Sequence, residues 1–277
     1  MKVYISIDAE GSTGIFKNSQ VCAGRPEYEF CRRMMEGDAN AAVRGAFRAG
    51  AAEVLVNDSH DGADNIRIEN LDPRARLISG SVKPLSMMEG IDSDFNAVLL
   101  LGYHSRKSER GTIAHTYSYS RIFEARINGK PVGEAEINGF VAGSFGVPVV
   151  FLSGDQYVTE NIRAVIPGIK TVAVKKSLGL AAAECAHPSI VWEQIEAAVY
   201  DALSGLKTSP VKPLTDAPYT LEVQFASTAH ATLALRLPGS CLQGATTVCY
   251  KAEDYMTIYN AFLCMNALTA AFDDDKD

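Results

Sequence analysis

The sequence lacks long hydrophobic runs, an excess of positive charge and closely spaced cysteine pairs. No apolar run reaches the roughly 18 residues that a membrane-spanning helix needs. Lys and Arg number 26 against 33 Asp and Glu, a net charge of −7, and no basic patch typical of nucleic-acid binding is visible. None of the six cysteines forms a CxxC motif, which excludes a zinc knuckle or a thioredoxin-type site. We therefore expect neither a membrane nor a nucleic-acid partner.

Several targeting and catalytic signals are also missing. The chain opens with Met1-Lys2 and enters an apolar segment at once, without the pattern of a secretory signal peptide. Cysteines in such a chain are expected to be reduced thiols, so we predict a cytoplasmic protein. Neither a phosphate-binding GxxxxGK[ST] loop nor a GxSxG nucleophile elbow occurs.

Short apolar segments alternate with helical patterns along the 277 residues. Strand-like segments at 2–7 and 53–60 flank a helical pattern from 26 to 49, and this order predicts a parallel strand pair with a right-handed crossover. Asn128-Gly129 predicts a type I′ hairpin turn. Further strands are predicted near 75–78, 97–104, 122–127, 131–135, 147–152, 171–174, 221–225, 231–237 and 246–250, and further helices near 139–145, 159–165, 188–203 and 253–271.

The predicted fold class is α/β, with a mostly parallel sheet core, flanking helices and a second, smaller α/β portion toward the C-terminus. Residues 1–207 are expected to form the metal-binding catalytic region, and residues 219–272 to complete the subunit or its assembly surface. A proline-containing segment at 208–218 is the best linker candidate, and the acidic residues 273–277 are expected to form a flexible tail.

Acidic and imidazole side chains follow three of the predicted strands. Asp8 and Glu10 come after the first, His60 ends the second, and His104 ends the segment at 97–104. Because the carboxyl ends of parallel strands open onto one edge of a sheet, we expect these side chains to converge. Glu134 closes the second half of the predicted hairpin and joins them if that hairpin lies at the same edge.

Three carboxylates and two imidazoles suit borderline divalent ions such as zinc, manganese or cobalt. Five ligands exceed what one tetrahedral ion needs, and they match two ions if one carboxylate bridges. His115 is a candidate for proton transfer near this site. Taken one at a time, each of these residues has a structural alternative: a turn or cap for Asp8, a hydrogen-bonding partner for each histidine.

These same residues carry a family resemblance. The string SIDAEG at 6–11 resembles the SxDxEG signature of the zinc-dependent D-aminopeptidases of bacterial dipeptide-transport operons. Other blocks follow in the order of that family: VNDSH at 56–60, ISGSVKP at 78–84, LGYH at 101–104, AH at 114–115 and PVGE at 131–134. One departure is Ser12, where an aliphatic residue is expected; we expect this change to affect the fit of the substrate more than metal binding.

The resemblance implies two zinc ions per subunit. Asp8 would bridge them, Glu10 and His104 would complete the first, and His60 and Glu134 the second. It implies His115 as a further active-site residue, a proposed nucleophile in the family, for which we favour proton transfer or stabilisation of the transition state. It also implies a self-compartmentalising homodecamer of two stacked five-membered rings.

The function implied is hydrolysis of short peptides with an N-terminal D-residue, such as D-Ala-D-Ala, through attack of a metal-bound hydroxide on the scissile amide. Nothing in the residues themselves distinguishes D- from L-peptides. The alternatives are a related metal-dependent amidase or L-peptidase, a two-metal phosphoesterase, and a non-catalytic protein that binds metal or peptide.

Overall fold

The chain forms two sheets with helices around them. The computed structural model describes residues 1–206 and 216–272. Most of the expected linker at 208–218 and the tail at 273–277 therefore lie outside the described residues. The strands are β1 Lys2–Ile7, β2 Glu53–Asp58, β3 Arg76–Ile78, β4 Ala97–Tyr103, β5 Ile122–Ile127, β6 Lys130–Val132, β7 Val149–Asp155, β8 Lys170–Gly179, β9 Ala182–Cys185, β10 Tyr219–Phe225, β11 Cys241–Gln243 and β12 Thr247–Ala252. The helices are α1 Asn18–Val21, α2 Tyr28–Arg48, α3 Glu134–Ser144, α4 Gln156–Val165, α5 Pro188–Ser204, α6 Thr228–Ala234 and α7 Tyr255–Thr269.

The larger sheet, sheet A, has the strand order β3-β2-β1-β4-β7-β8-β9. Its pairs are parallel except for β8 with β9. The strand order reverses between β1 and β4, and such a reversal opens a crevice at the carboxyl ends of the strands. The prediction of a mostly parallel sheet in an α/β fold is confirmed.

Both faces of sheet A are buried, and alternate residues of its central strands enter different cores. On β1, Val3 and Ile5 pack with residues of α2 and α5, whereas Tyr4 joins a second core that includes α3, α7 and the smaller sheet. Two-sided burial explains why these strands read as continuous apolar runs in the sequence. Within the described residues, no helix combines the length and the apolar character needed to cross a bilayer.

The smaller sheet, sheet B, is antiparallel and has the order β11-β12-β10-β5-β6. Its hairpin β5–β6 comes from the middle of the chain, whereas β10 to β12 come from the C-terminal portion. Asn128 and Gly129 have φ values of 50° and 75° at the hairpin turn, as a type I′ turn requires. The division of the chain at 207 and 219 stays a prediction, and both sides of it contribute strands to sheet B.

Two predicted elements differ from the structure. The segment at 231–237 was expected to be a strand, but Thr228–Ala234 is helix α6. Ser227 is the N-cap of this helix, and its hydroxyl accepts the His230 N–H at 3.4 Å. Glu134 was expected to close the hairpin, but β6 ends at Val132 and Glu134 is the first residue of α3. The Glu136 carboxylate accepts the Gly133 N–H at 2.8 Å, which starts this helix earlier than residue 139.

Candidate metal centre

The loop after β1 is held against the end of β4 by backbone hydrogen bonds. The Asp8 N–H donates to the Leu101 carbonyl at 2.8 Å, and the Gly11 N–H donates to the Gly102 carbonyl at 2.7 Å. Gly102 has a φ of +67°, and a Cβ added to it would lie 2.1 Å from the Asp8 carbonyl oxygen. Only glycine permits this approach, which brings Asp8 beside the residue that follows β4.

Buried polar side chains fix the same loop from the other side. The Ser12 hydroxyl donates to the Asp8 carbonyl at 2.7 Å. The Lys175 ammonium donates to the carbonyls of Glu10 at 2.6 Å and Ser12 at 3.0 Å. Burial lowers the pKa of Lys175 to about 8. Ser12, the departure from the family pattern, therefore acts on the shape of the loop that carries Asp8 and Glu10.

The two histidines that follow β2 and β4 are oriented by backbone carbonyls. His60 Nε2 lies 2.9 Å from the Val21 carbonyl, and His104 Nδ1 lies 3.0 Å from the Ser105 carbonyl. Because a carbonyl oxygen only accepts, each of these nitrogens is the protonated one. His60 Nδ1 and His104 Nε2 are left as the nitrogens that face the carboxylates, an arrangement typical of metal-binding histidines.

Glu134 and His115 reach the same place from the region of sheet B. Glu134 lies at the start of α3, and its Oε1 accepts the Tyr117 N–H at 2.6 Å. The His115 ring stacks on that of His104, with centroids 4.2 Å apart and planes 9° from parallel. His115 Nδ1 lies 2.8 Å from the Ile113 carbonyl, so its Nε2 is the nitrogen without a proton when the ring is neutral.

Asp8 lies between His60 and His104 and presents a different oxygen to each. Its Oδ1 is 3.4 Å from His60 Nδ1, and its Oδ2 is 3.3 Å from His104 Nε2. Glu10 Oε2 lies 3.1 Å from His60 Nδ1, and Glu134 Oε2 lies 3.3 Å from His104 Nε2. His115 Nε2 is farther away, 4.0 Å from Glu10 Oε1 and 3.9 Å from Glu134 Oε1.

Contacts between the carboxylates and the imidazoles affect the pKa values of four of these groups more than burial does. Burial alone raises the pKa of Asp8, but contacts with His104 and His60 hold that pKa well below its usual range. Burial and the charge of Asp8 raise the pKa of Glu10, yet His60 and His115 leave it lowered. Burial lowers the pKa of both His60 and His104, but the neighbouring carboxylates raise each well above its ordinary value.

The donor set fits zinc. Two ligand atoms on one tetrahedral zinc, each bonded at about 2.0–2.1 Å, lie roughly 3.3 Å apart, close to the separations of 3.1–3.4 Å seen here. Asp8 Oδ2, Glu10 Oε2 and His104 Nε2 are buried and have no hydrogen-bond partner among the described residues. Within residues 1–206 and 216–272, two groups have ligand atoms close enough to share an ion: Asp8 with Glu10 and His104, and His104 with His115 and Glu134.

Other acidic and histidine residues near the ends of strands and helices have structural roles. The Asp58 carboxylate accepts the backbone N–H groups of Asn65 and Ile66, a turn role. Asp155 is the N-cap of α4, His187 is the N-cap of α5, and His230 contacts Ser227 at the start of α6. None of these joins the ligand cluster in the described part of the chain.

Two basic residues near the centre were missed in the sequence. Lys175 is buried on β8, whereas Lys170 and Lys176 of the same strand are exposed, so the sequence alone does not distinguish it from them. Arg121 gave no signal either, because a basic residue before a hairpin is ordinary. It lines the same cavity of about 630 Å³ as Asp8, Glu10 and His115.

Comparison with known proteins gives one consistent result. A family model described as D-aminopeptidase matches residues 1–264. A D-aminopeptidase from Bacillus subtilis (strain 168) is 40% identical over 274 residues, covering 97% of each chain.

The fold comparison agrees with the sequence comparison. A solved structure, the Zn-dependent D-aminopeptidase DppA from Bacillus subtilis, described as a self-compartmentalizing protease, superposes with a TM-score of 0.94. Its sequence is 37% identical to this chain, and the match covers 98% of this chain and 99% of that one.

Proposed function

Because the chain belongs to the D-aminopeptidase family, we propose that it hydrolyses short peptides with an N-terminal D-residue, D-Ala-D-Ala among them, at a centre that holds two zinc ions. The enzyme class is that of a metallo-aminopeptidase. The observation that carries the proposal is the convergence of three buried carboxylates and two imidazoles, with three buried ligand atoms lacking partners in the described chain.

We assign Asp8 as the bridging ligand, because its two oxygens face different imidazoles. The resemblance pairs Glu10 with His104 on one ion and His60 with Glu134 on the other. The ligand atoms of Asp8, Glu10 and His104 lie close enough together for the first set, whereas the shortest contacts join Glu10 to His60 and Glu134 to His104. When bound, zinc supplies a Lewis acid that polarises the scissile carbonyl and lowers the pKa of water.

The protein's own residues are assigned to proton handling and water exclusion. The Nε2 atom of His115 faces the carboxylates of Glu10 and Glu134, while its Nδ1–H is held by Ile113. A proton carried on Nε2 would stabilise negative charge on the attacked carbonyl or pass to the leaving amine. The stack of His115 on His104 fixes the plane in which that proton moves.

The decisive assay compares enantiomers with zinc present. The zinc-loaded protein should release alanine from D-Ala-D-Ala at least tenfold faster than from L-Ala-L-Ala, and elemental analysis should give two zinc ions per chain. Preference for the L-peptide would identify a related L-peptidase. Zinc binding without hydrolysis of any amide would identify a metal- or peptide-binding protein, and turnover of a generic phosphoester a phosphoesterase.

We propose that the chain forms a homodecamer in the cytoplasm. The similarity to a protein described as self-compartmentalizing supports assembly, and six cysteines that are free thiols support a reducing compartment. Exposed Leu178 and Leu180 at the end of the β8–β9 hairpin offer apolar surface for subunit contacts. Light scattering after gel filtration should give ten times the 29.8 kDa of one chain.

A further inference from the structure

One guanidinium lines the cavity that contains the candidate metal centre. Arg121 is the single Lys or Arg among the described residues around this cavity, whose volume of about 630 Å³ is within the range of small-molecule sites. Four carboxylates line the same space: Asp8, Glu10, Asp61 and Glu134. The cavity therefore offers an acidic region together with one cationic group.

The Arg121 side chain has few partners of its own. Its Nη2 donates to Asn266 Oδ1 at 3.2 Å, and its Nε is buried without a hydrogen-bond partner among the described residues. No carboxylate in the described ranges lies within 4.0 Å of the guanidinium, unlike Arg106 and Arg126, which pair with Glu109 and Glu124. Burial lowers the pKa of Arg121, so its charge is partly desolvated and uncompensated.

The backbone places this side chain close to the reacting groups. His115, Tyr117 and Arg121 belong to one segment, and Tyr117 donates its N–H to Glu134. Four residues span at most about 14 Å when extended, and this stretch is shorter because the Arg121 N–H turns back to the Ser118 hydroxyl at 3.2 Å. Pairing of the Arg121 carbonyl with the Ala226 N–H, at 2.8 Å, anchors the segment to the region of β10.

A short peptide carries charges that complement this arrangement. Its N-terminal ammonium suits the acidic region, and the carboxylate of a dipeptide lies only about two residue lengths away. A guanidinium with free N–H groups binds a carboxylate with two parallel hydrogen bonds. We propose that Arg121 binds the C-terminal carboxylate of the substrate and so selects dipeptides and other very short peptides. This inference rests on the proposed function.

The test compares two substrates that differ in that carboxylate alone. For the zinc-loaded wild type, the first cleavage of D-Ala-D-Ala and of D-Ala-D-Ala amide is followed by mass spectrometry. We expect the free acid to have a KM lower by about 10- to 100-fold, with a similar kcat, since a charge-assisted hydrogen-bond pair is lost with the amide. Equal KM values for the two peptides would overturn the assignment without any variant.

Variants separate substrate binding from a structural role. Arg121→Gln should raise the KM of the free acid to that of the amide and leave the amide unchanged, and Arg121→Lys should restore part of the difference. Arg126→Gln, an exposed arginine on β5, is the matched control and should change neither value. Equal losses on both peptides in Arg121→Gln would mean a structural role and contradict the proposal.

The two proposals fail in different ways. If the zinc-loaded wild type hydrolyses neither peptide, the proposed function fails and the role of Arg121 fails with it. If it hydrolyses both peptides with the same KM, the function stands and the role of Arg121 alone is overturned.

Discussion

His115 differs from His60 and His104, the proposed ligands, in the distance of its ring from the carboxylates. Its Nε2 lies 3.9–4.0 Å from Glu134 and Glu10, whereas His60 and His104 lie within 3.4 Å of theirs. His115→Ala should therefore keep the zinc content and the fold while lowering kcat by about 10²–10⁴, the usual contribution of an acid–base group.

Elemental analysis, circular dichroism and steady-state kinetics check this prediction together. His187→Ser is a suitable control, because it removes an exposed histidine and keeps an N-cap residue on α5. Unchanged turnover in His115→Ala would refute proton transfer by this residue, and loss of zinc would reassign it as a ligand.

Asp8 supplies one carboxylate to two imidazoles, and its replacement should affect both ions. Asp8→Asn keeps the shape but removes the charge, so we expect fewer than one zinc per chain. Glu10→Gln should keep at least one ion, because Asp8, Glu134 and both imidazoles remain in place. Elemental analysis after dialysis measures this, with Asp61→Asn, on the same cavity but outside the cluster, as the control. Two zinc ions retained in Asp8→Asn would contradict the bridging role.

At the scale of the elements, the position of the loop at 8–13, which carries Asp8 and Glu10 and is called the ligand loop here, depends on contact between the ends of β1 and β4. Gly102→Ala would place a Cβ 2.1 Å from the Asp8 carbonyl, in addition to the strain of φ +67°. We expect a loss of several kcal/mol in the free energy of unfolding and weaker zinc binding, because Asp8 must move. The left-handed backbone conformation alone costs a residue with a Cβ about 1–2 kcal/mol of stability.

Gly146→Ala provides the matched control for that variant. Gly146 has a φ of +75°, and its added Cβ would meet no atom within 4 Å. In Gly146→Ala, urea unfolding should show only the loss of stability caused by the backbone strain, and zinc competition should show the affinity of the wild type. Equal effects of the two substitutions would mean that the contact with Asp8 is unimportant.

The central strands of sheet A, β1, β2, β4 and β7, could be predicted because they are almost entirely buried and appear as unbroken apolar runs. Helix α6 could not be predicted in the same way. Its Ala- and Leu-rich sequence alternates like a strand, and the hydroxyl of Ser227 at its start favours the helix. Strand β9 was missed because its side chains are largely exposed, so it has no apolar pattern.

At the scale of the molecule, parallel topology explains why the convergence of Asp8, Glu10, His60 and His104 could be predicted from the sequence. These residues follow strands β1, β2 and β4, which are parallel neighbours in sheet A. Residues just after the three strands therefore lie at the same edge of the sheet, where its carboxyl ends meet. Glu134, His115 and Arg121 belong to the region of sheet B, whose position against sheet A depends on long-range packing. From the residues alone, Glu134 was a ligand only on condition that the hairpin lay at the same edge, and His115 was a candidate for proton transfer. The family resemblance implied both residues, and Arg121 was not foreseen.

Stability of the whole molecule should depend on pH through Asp38, which joins the ligand loop to α2 and α5. Its carboxylate accepts hydrogen bonds from Thr13 and from the Trp192 indole, yet burial raises the pKa of Asp38 to about 6. A carboxyl whose folded pKa exceeds its unfolded value of about 3.9 stabilises the fold below pH 4, and this contribution is lost as the pH rises through 6. The loss amounts to about 3 kcal/mol.

The measurement is urea unfolding of the metal-free protein and of Asp38→Asn between pH 4 and 7.5. Comparing the two proteins cancels the titration of all other groups. The free energy of unfolding of the wild type, relative to the variant, should fall by about 3 kcal/mol over this range. A difference that does not change with pH would contradict the raised pKa of Asp38.

The hairpin β5–β6 is completed by a strand made much later, since Thr220 of β10 donates its N–H to Asn128, 92 residues before it. At 5–20 residues per second, a nascent chain waits roughly 5–20 s on the ribosome for that partner. The segments on either side of the hairpin carry His115 and Glu134, so we expect their amides to gain protection from hydrogen exchange after those of β1 and β4. The chain would then acquire hydrolytic activity only after β10 has been synthesised.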